Sequence, residues 1–167
     1  MQKIVNIRVD ERLIHGQVAA FWTNTLGATR IMVVDDISSK DDIQKMALKM
    51  ACPGGVKLSI LSIAKAAENL LANKYVGDRI FMVLKGPHTL LGLWEAGFKF
   101  DVVNVGNMSS KFGSVQVKRS VGVTPADVEN FEKLAALGVK FTAQMVPTEE
   151  VIDFLPLIRK PDLFAEK

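Results

Sequence analysis

The stretch Ile4-Val5-Asn6-Ile7-Arg8-Val9-Asp10-Glu11-Arg12-Leu13-Ile14-His15-Gly16-Gln17-Val18 decides how the rest of the chain is read. Residues 4–9 form an apolar run of strand length, rich in Val and Ile, and a helical pattern starts at Gly16. Between them stand Arg8, Asp10, Arg12 and His15. A strand that feeds a helix through a short charged turn is the opening of a β–α unit. Such a turn is a place for anions: guanidiniums meet phosphate oxygens with two parallel hydrogen bonds. A helix start adds unpaired N–H groups and the positive dipole end. Imidazole accepts and releases a group near neutral pH.

The same unit then repeats. Spacing predicts strands over 4–9, 30–34, 56–60, 79–84, 101–105 and 140–144. It predicts helices over 16–26, 39–50, 62–73, 87–96, 124–137 and 148–155. The strands are nearly all apolar rather than alternating, as in sheets covered on both faces, and strand–helix alternation favours parallel pairing. The reading is an α/β fold, doubly wound, with helices on both faces. Boundary chemistry agrees. Ser39 caps a helix with Asp41 and Asp42 in its first turn, and Thr124-Pro125 opens another. Gly27, Gly97 and Gly138 follow helix ends. Residues 106–123 form the longest irregular stretch, with a short strand near 114–117. In a parallel sheet the turns leaving the strands gather on one rim, where ligands bind, and His15 falls on that rim.

Composition narrows the function. The chain has 167 residues, 49% hydrophobic and 23% charged, which suits one domain with a sizeable core. A formal charge of +3 without a Lys/Arg block argues against a nucleic-acid surface. Cys52 is the only cysteine, so a reduced, cytosolic setting fits. No secretory signal or membrane-spanning run is expected.

Several side chains admit two readings. His15 is either a surface or capping histidine or a reactive imidazole. Asp10 holds its tautomer, orients an arginine, or merely pairs with Arg12. Arg8 points toward His15 or away from it, since strand alternation leaves both open. His88 reads as a first-turn helix residue. With His15 it makes at most a two-ligand set at the wrong spacing for zinc, so no metal is expected. Residues 106–113 either wrap a phosphate with backbone N–H groups and Ser109 or Ser110, or form a plain loop; the nucleotide-binding glycine patterns are absent. Asp35-Asp36 reads as a helix cap, Cys52 as a structural thiol, and Trp22 and Trp94 as packing residues.

Arg8-Val9-Asp10-Glu11-Arg12-Leu13-Ile14-His15-Gly16-Gln17 resembles the signature of the sorbose/mannose-type IIB components of the bacterial sugar phosphotransferase system. That pattern is Arg-hydrophobic-Asp-Asp/Glu-Arg-hydrophobic-hydrophobic-His-Gly-Gln. Asn104-Val105-Gly106-Asn107-Met108, the stretch 118–124 and Leu137-Gly138-Val139-Lys140 support the likeness. The resemblance implies one domain over 1–167 with a mostly parallel sheet of about seven strands. It implies that His15 takes a phosphoryl group from a phosphohistidine on the IIA component. His15 then passes it to a sugar entering through the membrane components IIC and IID. Arg12 and Arg8 would neutralise phosphoryl oxygens, Asp10 would orient the loop, and Gly16, Gln17 and Val18 would offer backbone N–H groups. Gly106, Asn107 and Ser109 would complete the phosphate surround, although the family commonly has Gly-Gly-Met where this chain has Gly106-Asn107-Met108. Such a carrier needs no cofactor, metal or nucleic acid. By the resemblance it would work in the cytoplasm against its transporter, in a family whose members are often homodimers, on mannose, fructose, sorbose or an amino sugar such as N-acetylgalactosamine. The rival readings are a sugar-phosphate-binding module without transfer chemistry and a regulatory interaction protein.

Overall fold

The computed structural model describes residues 1–165. The first strand, β1 (Lys3–Asp10), leads into α1 (Gly16–Leu26), and β2 (Arg30–Val34) follows. The chain continues through α2 (Asp42–Ala51), β3 (Lys57–Leu61), α3 (Ile63–Leu71), β4 (Arg79–Leu84) and α4 (Pro87–Glu95). After β5 (Val102–Asn107) come a small hairpin, β6 (Val115–Lys118) and β7 (Val121–Val123), then α5 (Pro125–Ala136) and β8 (Lys140–Ala143). A two-residue strand, β9 (Ile152–Asp153), and a one-turn helix, α6 (Leu155–Ile158), close the fold. The main sheet has seven strands in the order β3-β2-β4-β1-β5-β8-β9. All neighbours pair in parallel except β8 and β9.

Helices cover both faces, as the apolar strands require. On one face α1 and α2 press Ala19, Trp22 and Leu48 onto Ile31, Val33, Phe81 and Val83. On the other, α3, α4 and α5 bury Ala66, Leu70, Leu90, Leu93, Phe131 and Leu134 against Met32, Met82, Val103 and Val105. The helix starts follow their local chemistry. Thr124 and Asp127 form a reciprocal capping box ahead of Pro125, and Ser62 Oγ accepts from Lys65 N–H. Gly27 ends α1 in the left-handed region at φ 61°.

Three expectations are corrected. The helix expected over 39–50 begins at Asp42; a 3-10 turn at Ser38–Lys40 precedes it, and Asp41, not Ser39, is the cap. Asp35 draws Ser38 inward, its Oδ2 accepting from both Ser38 N–H (2.9 Å) and Oγ (2.6 Å), and this closes the turn one step early. Its neighbour Asp36 accepts from Ile63 N–H at 2.8 Å, the first turn of α3 rather than of the next helix. The helix expected over 148–155 is absent. Phe154 is fully buried against the ring of Phe131, which in turn meets Phe141, and its N–H donates to Phe141 O. That anchor lays Ile152–Asp153 against β8 as a strand, and Pro156 starts α6 only afterwards. Lastly, the stretch 106–123 is largely ordered: β5 runs through Asn107, and β6 and β7 pair antiparallel.

Candidate active site

The chain turns sharply at the carboxyl end of β1. Leu13 N–H donates to Asp10 O at 2.8 Å, and Leu13 itself stands at φ 63°. That left-handed conformation costs a non-glycine residue about 1–2 kcal/mol. Burial of Leu13 and Ile14 in the α1–α2 face of the core offsets it. With those two side chains pinned inward, the next residue is turned out. His15 is exposed at the N-cap position of α1 in an extended conformation, and its side chain caps nothing. The N–H groups of the first helical turn therefore stay unpaired beside the imidazole. Gly16 follows at φ 49°. A Cβ there would meet nothing within 4 Å, so glycine serves the backbone conformation, not a close approach. Gln17 is exposed and Val18 half-buried at the same helix start.

Asp10 joins the two arginines. Its Oδ1 accepts from Arg12 N–H (3.1 Å) and Arg12 Nε (3.0 Å), and its Oδ2 accepts from Arg12 Nη2 (3.0 Å). This two-pronged clamp fixes the plane of the Arg12 guanidinium. Arg12 Nη1 has no acceptor among the described residues, so the outer edge of that guanidinium is open to an incoming anion. Asp10 Oδ2 also meets Arg8 Nη2 at 3.4 Å.

Arg8 lies on the inner side of this arrangement and is 1% exposed. Its Nη1 donates to Asn104 Oδ1 (2.6 Å) and Gln144 O (2.9 Å), and its Nη2 donates to Met145 O (2.7 Å). The guanidinium lies 5.0 Å from the Trp22 ring centroid. On its other side is Gly106, where a Cβ would fall 2.1 Å from Arg8 Cζ. Burial pulls the Arg8 pKa down to about 10 against the attraction of Asp10, which leaves the side chain cationic at neutral pH. Met145 O also accepts from Trp22 Nε1 at 2.9 Å, and Met145 N–H donates to Glu149 at 2.7 Å. The Lys118 ammonium holds the Glu149 carboxyl below the usual carboxylate range. One buried cation thus fastens β1, β5, α1 and the segment after β8 together.

The expected residues separate into two groups. His15, Arg12, Asp10, Gly16, Gln17 and Val18 come together at the start of α1. Arg8 and Gly106 do not face that surface. Arg8 takes its donors inward, and Gly106 is buried inside β5 as the floor beneath it, not as a loop glycine. Asn107 pairs with Asp10 across the β1–β5 boundary, and its Oδ1 is buried without a partner. Ser109 is exposed beside Glu11. Burial pushes the Glu11 carboxyl up, but hydrogen bonds from Lys111 and Ser109 outweigh it and hold it low. The sequence reading places Asn104 only in a family-like stretch and Trp22 only in the packing, and it does not single out Met145; a polar residue among the valines of β5 is a further signal for Asn104.

Two hollows flank the His15 loop. One, about 290 Å³, runs from Arg12, Leu13 and Ile14 to Gln44, Ala47 and Leu48 of α2. The other, about 420 Å³, opens among Glu11, Asp35, Lys85, His88 and Lys111 on the same rim. His88 is exposed in the first turn of α4, as expected. A cavity of about 610 Å³ lies at the opposite edge, where β5 and β8 begin, away from His15.

Fold and site define a class: an α/β protein that presents one uncapped histidine, with a carboxylate-clamped arginine, on the carboxyl rim of a parallel sheet. Residues 4–167 match the family model for the PTS system sorbose subfamily IIB component. The chain belongs to this family. It is 36% identical over 151 residues to the sorbose-specific EIIB component of Lacticaseibacillus casei, covering 90% of this chain and 92% of that one. It is 37% identical over 155 residues to the mannose-specific EIIAB component of Escherichia coli K12. That match covers 93% of this chain, which spans about half, 48%, of the length of that relative. The crystal structure of the IIBSor domain of the sorbose permease from Klebsiella pneumoniae is similar with a TM-score of 0.88 at 30% identity, over 93% of this chain and 96% of that one. No helix among the described residues is long and apolar enough to cross a membrane.

Proposed function

We propose that His15 is the phosphoryl acceptor of this chain. The donor is a phosphohistidine on a IIA component, and the final acceptor is a sugar carried by IIC and IID membrane components. The name of the mannose-specific relative, EIIAB, joins the two soluble parts of such a relay and supports a IIA donor. The observation that carries the reading is the exposed, uncapped imidazole of His15 at the start of α1, three residues after a guanidinium clamped by Asp10. Transfer between imidazoles needs positioning and charge neutralisation more than covalent help. In this reading Arg12 and the N–H groups of Gln17 and Val18 contact the phosphoryl oxygens, with Ser109 and Asn107 at the rim. Arg8 and Gly106 act from beneath by holding Asp10. Mannose- and sorbose-named relatives match almost equally, at 37% and 36% identity, which fits a sugar choice made in IIC and IID and not on this chain. The carrier then works in the cytoplasm at the transporter's inner face.

The test is chemical. After incubation with phosphorylated IIA, peptide mapping should find one acid-labile, base-stable phosphate, at residue 15. A phosphate elsewhere, or none, refutes the reading. Arg12→Lys sharpens it. Lysine keeps the charge but loses the clamp on Asp10, and charged hydrogen bonds are worth about 1.5–3 kcal/mol. Transfer from phospho-IIA in rapid-quench assays should slow by about ten- to a hundredfold, with the folded circular-dichroism spectrum retained. Unchanged transfer with collapsed stability would make Arg12 purely structural.

A further inference from the structure

Two carboxylates bear on the buried cation Arg8, those of Asp10 and Glu149. Asp10 Oδ2 meets Arg8 Nη2 directly, at 3.4 Å. Glu149 reaches Arg8 through a single peptide. Gln144 O accepts from Arg8 Nη1 at 2.9 Å, and Met145 N–H donates to Glu149 Oε2 at 2.7 Å. That carbonyl and that N–H are the two ends of one planar peptide unit and point opposite ways. A carboxylate on the N–H polarises the carbonyl toward the guanidinium beyond it. A tight local turn presents Glu149 there. Its N–H donates to Val146 O, and Gln144 Nε2 donates to Pro147 O (3.3 Å) and Glu149 O (2.9 Å). The second carboxylate oxygen, Oε1, accepts from Lys118 Nζ of β6.

Arg12, Asp10, Arg8, Glu149 and Lys118 thus stand in a row of alternating sign, from the His15 loop to the β6–β7 hairpin. The critical atom in the row is Asp10 Oδ2. Two guanidiniums share it, Arg12 Nη2 at 3.0 Å and Arg8 Nη2 at 3.4 Å. The shorter bond goes to Arg12, whose outer edge is open to an anion. Arg8 needs negative charge nearby, because a cation in the interior is costly unless paired. Burial lowers the Arg8 pKa; Asp10 opposes it most strongly, and Glu149 also opposes it. A neutral side chain at position 149 would leave Asp10 to answer Arg8 alone. Oδ2 would then be drawn inward, and its bond to Arg12 would lengthen.

We propose that Glu149, held in place by Lys118, is a positioning residue for phosphoryl transfer. Its charge answers Arg8 through the Gln144–Met145 peptide and so leaves Asp10 free to fix the plane of Arg12. The inference rests on the reading of His15 as acceptor and gives that site a support from outside its own loop. Glu149 touches no phosphoryl oxygen in this arrangement. It acts on the geometry of the chemical step and not on donor binding, so its loss lowers kcat and leaves KM in place.

Glu149→Gln keeps an acceptor for Met145 N–H and removes the charge. Glu149 and Lys118 both border an open hollow of about 510 Å³, so neither substitution leaves a sealed cavity. For transfer from phospho-IIA, kcat of Glu149→Gln should fall about tenfold with KM within about twofold. Lys118→Met deprives the carboxylate of its partner and should lie between that variant and wild type. Lys118→Arg restores an ion pair and should match wild type within about twofold. Solvent exchange of the Arg12 Nε–H, followed by NMR, reads the clamp on Asp10 directly and needs no phosphoryl donor. It should quicken about tenfold in Glu149→Gln. An unchanged kcat in the folded variant overturns the proposal. So does a raised KM with kcat intact, which would make Glu149 a partner contact. A lowered Tm with Arg12 exchange unaltered would reduce the pair to a structural tie and also overturn it. Should Glu149→Gln fail to fold, Lys118→Met is judged by the same measurements. Should His15 prove not to be the acceptor, Arg12 exchange still decides whether Glu149 governs the clamp. Wild-type exchange in the variant refutes that control, and faster exchange sustains it.

Discussion

A His15→Asn protein is expected to accept no phosphoryl group and yet to be slightly more stable than the wild type. Both halves follow from the same position. The N-cap of a helix is where Asn, Asp and Ser are strongly preferred, because their side chains accept from the N–H groups of the first turn. His15 has the extended N-cap backbone, φ −131° and ψ 102°, but its side chain makes no such bond. Replacing a non-capping residue by Asn at that geometry contributes about 0.5–1 kcal/mol, or about 1–4 °C in Tm for a domain of this size. The same bond would occupy the N–H groups that the phosphoryl oxygens need, and the carboxamide cannot act as the nucleophile. Transfer should therefore fall by at least about a thousandfold, on the scale of losing a covalent-catalysis nucleophile. Calorimetry and phosphoryl transfer from phospho-IIA measure the two effects separately. A destabilised variant would mean that the imidazole makes a contact the geometry does not show. Residual transfer above a few per cent would move the acceptor elsewhere.

That trade explains why part of the site was legible in the sequence and part was not. The histidine loop is local. The strand before it, the helix after it and Gly16 at φ 49° all lie within a few residues of His15 and leave their marks in order along the chain. The strands over 30–34 and 79–84 and the helix over 16–26 were read to the residue for the same reason. Errors arose where two residues of the same capping chemistry compete, as with Ser39 and Asp41. They also arose where a distant contact overrules local preference, as Phe154 does from its pocket beside Phe131 and Phe141. The direction of Arg8 belongs to the second kind. Alternation along β1 allows either face. The choice is made by Asn104, by Gly106 and by the Gln144 and Met145 carbonyls, about a hundred residues or more further on. An arginine near a reactive histidine invites a role in binding phosphate. Only the fold shows that its Nη1 and Nη2 donors turn inward, so that with His15 read as the acceptor any effect of Arg8 on the phosphoryl group passes through Asp10.

Gly106→Ala is the substitution that exposes this dependence, and it should be among the most damaging single-methyl additions in the protein. The new Cβ would lie 2.1 Å from Arg8 Cζ and Nη2 and 2.4 Å from Nη1, well inside any tolerable contact. A surface arginine would swing aside. This one is held by Asn104 Oδ1, two backbone carbonyls and Asp10, and it is backed by the Trp22 ring. Either β5 shifts away from β1, or the guanidinium leaves and abandons buried acceptors and a buried carboxylate. Breaking a buried charged network costs about 3–5 kcal/mol, out of a total stability of about 5–15 kcal/mol. Asp10, released on one side, no longer fixes the plane of Arg12, so transfer should also fall by about tenfold or more even in the molecules that remain folded. The control is a double-mutant cycle. In an Arg8→Met background the guanidinium is already absent and the flexible thioether can yield. The further cost of Gly106→Ala should then drop to about 1–2 kcal/mol, giving a coupling energy of about 2–3 kcal/mol by urea denaturation. Additive costs in that cycle would show that the glycine is needed for some other reason. The buried arginine would then not be the element that links β5 to the phosphoryl site.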